Sequence, residues 1–222
     1  MRAAVQAKAP SSPKLGARDA LLQAAGELMN ERDAIDVSLG EISARAKANS
    51  ALVKYYFGNK RGLFLALIER DVVRPIRQLQ YLVESDTPPV EKMKIHITGL
   101  INTYFRSRYL NRLLFMLLRE STADQAQEIS DRLIKPAADA QKRILDEGLK
   151  TGDFRLVDAM LFYFTVIGAC DELFTASFAL KTVFRQDQID DALRRRLVEH
   201  TTRMLLAGIL IEPLDESRPP IQ

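Results

Sequence analysis

Cysteine and histidine are scarce in this chain of 222 residues, which has one cysteine, Cys170, and two histidines, His96 and His200. A single cysteine cannot form a disulfide within the chain, and small proteins of oxidising compartments commonly rely on such bonds. These few residues also cannot build the usual four-ligand zinc site of Cys and His. The shortage excludes a disulfide framework, argues against a metal centre and predicts an intracellular protein.

A long uninterrupted apolar run is also missing. Residues 1–14 have no apolar core of the kind that a secretory signal carries, and we interpret them as a short, flexible basic tail. The most apolar window, residues 156–170, contains Asp158 and is followed at once by Asp171 and Glu172. It is too short and too interrupted for a membrane span, which needs about 20 apolar residues. We expect no membrane partner and a cytoplasmic location.

Motifs that carry catalysis are absent as well. The sequence has no Gly-rich phosphate loop, no G-x-S-x-G elbow, no H-E-x-x-H and no C-x-x-C, and its two histidines lie far apart. Cys170 lies in the most apolar segment, where we expect an inert buried thiol rather than a redox sensor. We therefore predict no enzyme activity, no catalytic or metal-binding residues and no cofactor.

Positive charge is concentrated at one end of the chain. Residues 1–62 contain ten Lys and Arg against six Asp and Glu, whereas residues 63–222 contain 22 against 23, within a net charge of +3. A basic end on a nearly neutral body fits a nucleic acid or another acidic partner bound there. On charge alone, an accidental surplus of this size explains the sequence equally well.

The spacing of apolar residues indicates an all-α protein. Leucines and alanines recur three and four residues apart along residues 15–31, which predicts an amphipathic first helix. Ser38 is followed three residues later by Glu41, the pattern of a capping box, in which each side chain bonds the backbone N–H of the other residue. A short helix should therefore span residues 39–46.

A second short helix should follow closely. Asn49 and Ser50 offer an N-cap for residues 51–56, and Gly58 and Asn59 suit the end of that helix because both tolerate a left-handed backbone. Two short helices joined by a tight turn make a helix-turn-helix candidate, in which the last helix enters the major groove of DNA. An ordinary helical corner of a bundle would produce the same spacing.

The rest of the chain divides at residues 85–89, where turn formers and two prolines occur together. Before this break, a long helix should run from residue 60 or 61 to about residue 84 with a kink at Pro75. After it, we predict helices over residues 89–107, 110–121, 123–151 with a bend at Pro136, 156–180 and 186–210.

Specific residues of the first part match a known pattern: Arg18, Leu22, Ala24, Ala25, Leu28, Ser38, Leu39, Glu41, Ile42, Ala46, Tyr55, Tyr56, Phe57, Lys60 and Leu63. With these residues the chain resembles the TetR family of transcriptional regulators. The most specific part is residues 52–60, LVKYYFGNK, which is similar to the family's hallmark at the end of helix 3 and the start of helix 4.

The resemblance implies a domain organisation and a function. It implies a dimeric repressor that binds a palindromic DNA operator and is released by a small-molecule inducer. The alternative is a DNA-binding protein without such an inducer, either nonspecific or regulated by a partner. The implied regions are a basic tail (1–14), a helix-turn-helix domain (15–62), a connecting helix (63–84), a ligand-binding and dimerisation domain (85–212) and a C-terminal tail (213–222).

Two positions depart from the family pattern. Lys47 stands where the family usually has a glycine in the turn. A left-handed lysine there costs about 1 kcal/mol relative to glycine, so we expect the turn to be shaped a little differently. Lys54 stands where the family usually has a tyrosine, so we expect a phosphate or guanine contact in place of a packed ring.

The predicted DNA contacts follow from what a helix-turn-helix must do. Residues at the start of the recognition helix reach base edges, small or apolar side chains touch thymine methyl groups, and hydroxyls and ammonium groups bind phosphate. The candidates are Ser38, Asn49, Ser50, Ala51, Leu52, Lys54, Tyr55, Tyr56 and Lys60. Ser38 can serve as a helix cap and also lie near a phosphate, and Ile42, Val53 and Phe57 should hold the two helices together.

The second domain holds most of the aromatic residues, which a packed bundle core would also explain. The resemblance implies a pocket for a small inducer, with polar side chains on otherwise apolar helices orienting the ligand. The candidate lining residues are Asn102, Tyr104, Phe105, Phe162 and Thr165.

Dimerisation is predicted from residues 156–170, which are apolar nearly all round a helix and so must be covered on more than one side. Together with the last helix and their copies in a second subunit, they would form a four-helix bundle with two-fold symmetry. The candidate interface residues are Leu161, Phe164, Leu193, Leu197, Met204 and Gly208. The alternative is complete burial within one chain.

Overall fold

Helices make up nearly all regular structure in the computed structural model, which describes residues 16–211. In chain order the helices are α1 (Ala17–Arg32), α2 (Leu39–Ala46), α3 (Ala51–Phe57), α4 (Lys60–Glu84), α5 (Pro89–Arg106), α6 (Leu110–Arg119), α7 (Ala123–Leu133), α8 (Lys135–Thr151), α9 (Ala159–Thr175), α10 (Ser177–Thr182) and α11 (Asp191–Ile209). The one extended pairing in this part of the chain is an isolated bridge between Phe154 and Leu210. The all-α prediction is confirmed, and the predicted tails 1–14 and 213–222 lie outside the described residues.

The first three helices pack round a small apolar core that α4 completes. Ile42 of α2, Val53 of α3 and Leu63 of α4 are buried there, while Phe57 at the end of α3 is half-buried. The long helix α4 then continues through Pro75 and packs against α5, α6, α7 and α8. It is therefore shared between the N-terminal three-helix unit and the larger C-terminal bundle. Between residues 16 and 211, no helix has both the length and the apolar composition that crossing a membrane requires.

The predicted helix 123–151 is wrong as a single element. It consists of α7 and α8, with Ile134 between them. Pro136 lies in the first turn of α8, where its missing N–H removes no intrahelical hydrogen bond, so the proline begins a helix instead of bending one.

The last two predicted helices are too long. The Asp158 carboxylate accepts hydrogen bonds from the backbone N–H groups of Met160 and Leu161, so α9 starts three residues later than predicted. The chain turns at Ala176 and continues as the short α10. Asp190 caps α11 by accepting from the Leu193 N–H, which excludes residues 186–190 from that helix.

The end of α1 is fastened to the C-terminal bundle by polar contacts. The Asn30 side chain donates to the Arg106 carbonyl oxygen at 2.8 Å and accepts from the Arg108 backbone N–H at 3.0 Å. Asp33, whose backbone is left-handed at φ 51°, accepts from the Arg112 guanidinium at both its carbonyl oxygen and its carboxylate. The three-helix unit is thus joined to the bundle by directional bonds as well as by α4.

Candidate nucleic-acid interface

The start of α2 is held by the capping box that the sequence predicts. The Ser38 hydroxyl accepts from the Glu41 N–H at 3.2 Å, and the Glu41 carboxylate accepts from the Ser38 N–H at 2.8 Å and from its hydroxyl at 2.7 Å. The bond from the Ser38 hydroxyl, then that from its N–H and then Arg32 lower the pKa of Glu41 to about 2. Because the Ser38 proton is held by Glu41, the hydroxyl serves first as a cap and offers a phosphate little more than its position at a helix N-terminus.

The turn between α2 and α3 adopts the conformation for which the family uses glycine. Lys47 has φ 51° and ψ 40°, in the left-handed region, and its backbone N–H bonds the Ala44 carbonyl oxygen at 3.2 Å. Its side chain is exposed. The lysine therefore adopts the left-handed conformation itself, and the backbone bears the strain expected from the sequence.

The start of α3 is closed by Asn49 rather than by Ser50. The Asn49 amide oxygen accepts from the Ala51 N–H at 2.8 Å, whereas Ser50 already has helical backbone angles and makes no side-chain capping bond. Both side chains are exposed. The Asn49 oxygen is thus committed to the turn, while its amide N–H groups and the Ser50 hydroxyl face solvent at the tip of the recognition helix.

One face of α3 is open to solvent and rich in side chains suited to DNA. Lys54 and Tyr55 lie three and four residues after Ala51, and all three are exposed. The Tyr55 side chain is 79% exposed, and that of the adjacent Tyr56 is 39% exposed. The two tyrosine rings pack edge to face with centroids 4.9 Å apart. Leu52 is half-buried. Exposed neighbouring aromatics are unusual on a surface that binds nothing, because their burial is favourable.

The junction between α3 and α4 places a lysine at the N-terminus of a long helix. Gly58 turns the chain with φ 75°, and the Asn59 side chain accepts from the Gly62 N–H at 2.9 Å. Lys60 is the first residue of α4, and its ammonium lies 5.3 Å from the centroid of the Phe64 ring. A lysine positioned at a helix N-terminus adds its charge to the positive end of the helix dipole, an arrangement that suits phosphate.

The charges of the three-helix unit are arranged so that its lysines remain unneutralised. Arg45 forms a two-bond ion pair with Glu31, at 2.7 and 2.8 Å, and Arg32 pairs with Glu41. In contrast, Lys47, Lys54 and Lys60 form no ion pair with any carboxylate of residues 16–211. The positive charge of this unit is therefore exposed around α3.

Two family models match the sequence. The model for bacterial regulatory proteins of the tetR family matches residues 21–67, and that for the tetracyclin repressor-like C-terminal domain matches residues 86–215. The second match alone covers more than half of the chain. The chain belongs to the TetR family. It is therefore a transcriptional regulator with the helix-turn-helix organisation that the resemblance implied.

Solved structures of several other regulators share this fold. KstR2, the ketosteroid transcriptional regulator of Mycobacterium tuberculosis, has a TM-score of 0.68 and 17% identity, with 89% of this chain and 96% of that chain covered. FadR of Bacillus halodurans has a TM-score of 0.65 and 22% identity, with 86% and 98% covered. FadR of Bacillus subtilis, in complex with stearoyl-CoA, has a TM-score of 0.63 and 19% identity, also with 86% and 98% covered. No curated protein matches the chain.

The five residues predicted to line a pocket in this TetR-family chain do not all meet. Tyr104 of α5 and Phe162 of α9 are buried, and Asn102 and Phe105 of α5 are half-buried. Thr165 lies on the exposed face of α9, so it does not share an interior with the other four. The remaining four belong to the contact between α5 and its neighbours.

Arg194 of α11 lies against Asn102 and Phe105 of α5. Its guanidinium donates to the Asn102 amide oxygen at 2.5 Å and lies 5.4 Å from the centroid of the Phe105 ring. Asn102 and Phe105 are therefore already engaged by α11, which favours a role for them in fastening that helix. Neither contact was apparent from the sequence, because Arg194 lies 92 positions after Asn102 and 89 positions after Phe105.

Sequence reasoning also missed two buried polar residues of the bundle, Asn111 of α6 and Asp171 of α9. Asp171 precedes Phe174 by three residues, so the carboxylate and the buried ring lie on one face of α9. That helical spacing was the available signal. The apolar window ends just before Asp171, so the sequence pattern marks this residue as a boundary of the window and not as a buried residue. Among the described residues, no group of three or more His, Cys, Asp and Glu is placed to hold a metal ion.

The predicted dimer residues separate into two groups. Leu193 and Leu197 are half-buried and pack against the chain's own core. The other four are exposed: Leu161, Phe164, Met204 and Gly208. The side chains of Leu161, Phe164 and Met204 are 60%, 66% and 60% accessible, respectively. Complete burial within one chain is therefore wrong. The segment that leads into α9 lies beside the end of α11, since the Arg155 N–H donates to the Ile209 carbonyl oxygen at 2.8 Å, and α9 and α11 also contact each other. The exposed apolar residues are therefore carried by two neighbouring helices.

Proposed function

We propose that this regulator is a repressor that binds a palindromic DNA operator as a homodimer and is released by a small molecule. The observation that carries the proposal is the exposed face of α3, where Lys54, Tyr55 and Tyr56 are open to solvent and no carboxylate of residues 16–211 pairs with the lysine. Phosphate contacts would position the helix, and Asn49, Ser50, Ala51 and Leu52 at its start would read base edges. We further propose that the chain acts in the cytoplasm and catalyses no reaction.

The homodimer is supported by the exposed apolar side chains of the neighbouring helices α9 and α11. A symmetric pair of these helices would bury Leu161, Phe164 and Met204 of both subunits in a four-helix bundle. A two-fold dimer presents two copies of α3, which accounts for a palindromic target whose half-sites lie about one helical turn of DNA apart.

A small-molecule effector is supported by the family's ligand-binding C-terminal domain and by a structural neighbour that holds stearoyl-CoA. The likeness extends to the fold alone, so the stearoyl-CoA of that neighbour does not define the chemistry of this chain's own effector.

Selection of bound sequences from a random DNA pool tests the proposal directly. We expect the purified protein to enrich a motif with two-fold symmetry, and footprinting should then show protection of both half-sites. Enrichment without symmetry, or binding of all sequences with equal affinity and steep salt dependence, would favour the nonspecific alternative.

Lys60 should bind a DNA phosphate. Replacing Lys60 by Ala should weaken binding about equally on different sequences and reduce the slope of log K against log salt by about 1 per subunit, because one counterion fewer is released. Lys150→Ala, which removes an exposed lysine at the end of α8, is the control and should leave the slope unchanged. An unchanged slope for Lys60→Ala would remove Lys60 from the interface.

Lys54 should contribute to sequence preference. If its ammonium reaches a guanine in the major groove, Lys54→Ala should relax the preference at one base position of each half-site by about 1–3 kcal/mol. The measurement is the binding of operators mutated at single positions. A uniform loss at all positions would instead make Lys54 a phosphate contact.

A further inference from the structure

The surface that α9 and α11 form has two ends, because the helices run in opposite directions. At one end the segment before α9 meets the end of α11, since the Ile211 N–H donates to the Asp153 carbonyl oxygen at 3.1 Å. The exposed side chains of Leu161, Phe164 and Met204 belong to this half of the two helices. At the other end, the last turns of α9 and the first turns of α11 line one groove together.

This groove has a volume of about 380 Å³ and combines an apolar floor with charged sides. Three half-buried leucines form the floor: Leu173, Leu193 and Leu197. Four exposed polar or charged side chains of α11 line the same groove: Arg196, Glu199, His200 and Arg203. Covering the leucines would be favourable, provided that the occupant also satisfies the charges around them.

The charges of the groove have no partners within residues 16–211. Glu199 lies three residues after Arg196 and four before Arg203, spacings at which opposite charges on a helix can pair, yet none of the three forms an ion pair in this part of the chain. Glu172, exposed near the end of α9, is equally unpaired there. We define the groove end as Glu172 together with the residues that line the groove. With His200 neutral, it carries two carboxylates and two guanidinium groups.

The groove end lies on the side of the bundle that is joined to the three-helix unit. The Arg108 guanidinium donates to the Ile189 carbonyl oxygen at 3.1 Å, just before α11 begins, and the Arg108 N–H bonds the Asn30 side chain of α1. In a dimer that binds one operator, both three-helix units lie at the same end, so the two-fold axis brings like ends of the subunits together. The groove end of one subunit then faces the groove end of the other.

We propose that the groove end is covered by the groove end of a second copy, with Glu172 and Glu199 of one subunit paired to Arg196 and Arg203 of the other. The inference rests on the homodimer of the proposed function and names the residues that select the partner. A surface that carries both signs in equal number is complementary to its own two-fold copy, whereas a site for a small anion needs the positive groups only.

The two ends of the surface have different tasks in such a dimer. Burial of the apolar side chains at the other end supplies affinity, but it would accept any subunit with a similar apolar surface. The ion pairs at the groove end penalise a subunit with another pattern of charge, because like charges would then meet over the dehydrated leucines. The groove end therefore keeps the regulator a homodimer among related chains.

Two charge-reversed chains test this pairing by sedimentation at low salt. The acidic chain carries Arg196→Glu and Arg203→Glu, and the basic chain carries Glu172→Arg and Glu199→Arg. Like charges meet in either homodimer, so we expect its dissociation constant to rise at least about tenfold over that of the wild type. An equal mixture of the two chains should form a heterodimer with nearly wild-type affinity, because opposite charges meet again.

The mixture also separates the effect of charge from misfolding, since a misfolded chain gains nothing from its partner. Arg195→Glu is the matched control, because Arg195 is exposed on α11 but does not line the groove. It should change the dissociation constant by no more than about twofold. Homodimers of both reversed chains as tight as the wild type, or no preference for the heterodimer in the mixture, would overturn the proposal.

A small amphiphilic anion in the groove would give a different result. Decanoate is the probe, because its chain could lie on the leucines and its carboxylate could bind the guanidinium groups. Normal homodimers of both reversed chains, together with decanoate binding that only the acidic chain loses, would assign the groove to such a ligand and overturn the pairing of subunits.

The outcome is separable from that of the proposed function. A wild-type chain that stays monomeric and selects no symmetric operator would refute the homodimer itself. A wild-type dimer on a symmetric operator, combined with normal homodimers of the reversed chains, would retain the proposed function and refute the ion pairs alone.

Discussion

Replacing Met204 by Glu should produce monomers in sedimentation experiments. Met204 is 60% exposed on α11, and Leu161 and Phe164 are similarly exposed on the neighbouring helix α9. In a two-fold interface each substitution is made twice, so two carboxylates would enter one dehydrated seam. Burial of each large apolar side chain there contributes about 1.5–3 kcal/mol, and the charges would oppose that gain.

The loss of the dimer should extend to DNA binding. A monomer reads one half-site only, so tight operator binding should disappear while weak, salt-sensitive affinity for any DNA remains. Phe164→Glu should behave in the same way. The matched control is Phe115→Glu on α6. This phenylalanine is exposed to a similar extent, at 55%, but lies outside α9 and α11. A stable Met204→Glu dimer with normal operator affinity would show that the subunits meet elsewhere.

Gly148→Ala should destabilise the protein by about 1–3 kcal/mol, although alanine is normally the better helix former. A Cβ at this position of α8 would overlap the ring of Phe154, which is fully buried. Relief requires the ring or the helix to shift within a close-packed core, and such overpacking outweighs the gain of up to about 1 kcal/mol in helix propensity.

The control for this effect is Gly99→Ala in α5, where an added Cβ would meet no atom within 4 Å. It should be neutral or stabilising by up to about 1 kcal/mol, because only the helix propensity changes. Urea unfolding of both variants gives the comparison. If both glycines respond alike, the ring of Phe154 moves aside without cost.

The parts of the fold that depend on neighbouring residues could be predicted from the sequence. The capping box of Ser38 and Glu41, the end of α3 at Gly58 and the start of α4 at Asn59 are interactions over a few residues, and all are present.

Features that depend on contacts between distant residues could not be predicted. Periodicity showed one apolar stripe along residues 123–151. The helix nevertheless breaks at Ile134, and α7 before the break packs against α4 and α6. The same periodicity could not separate Thr165, which faces outward, from Phe162, which faces the core. The side of a helix that meets a neighbour is set by tertiary packing, which a stripe of apolar residues indicates only approximately.

The bonds of Asn30 and Asp33 bear on how regulators of this kind can be recombined. A chimera that took residues 16–62 from this chain and the remainder from a relative would keep the helix-turn-helix but change its fastening. The Asn30 side chain bonds the backbone carbonyl oxygen of Arg106 and the backbone N–H of Arg108. The Asp33 carboxylate bonds the side chain of Arg112. The unit that can be exchanged intact is therefore discontinuous in sequence, since it includes the end of α5, the start of α6 and the link between them together with the first helix.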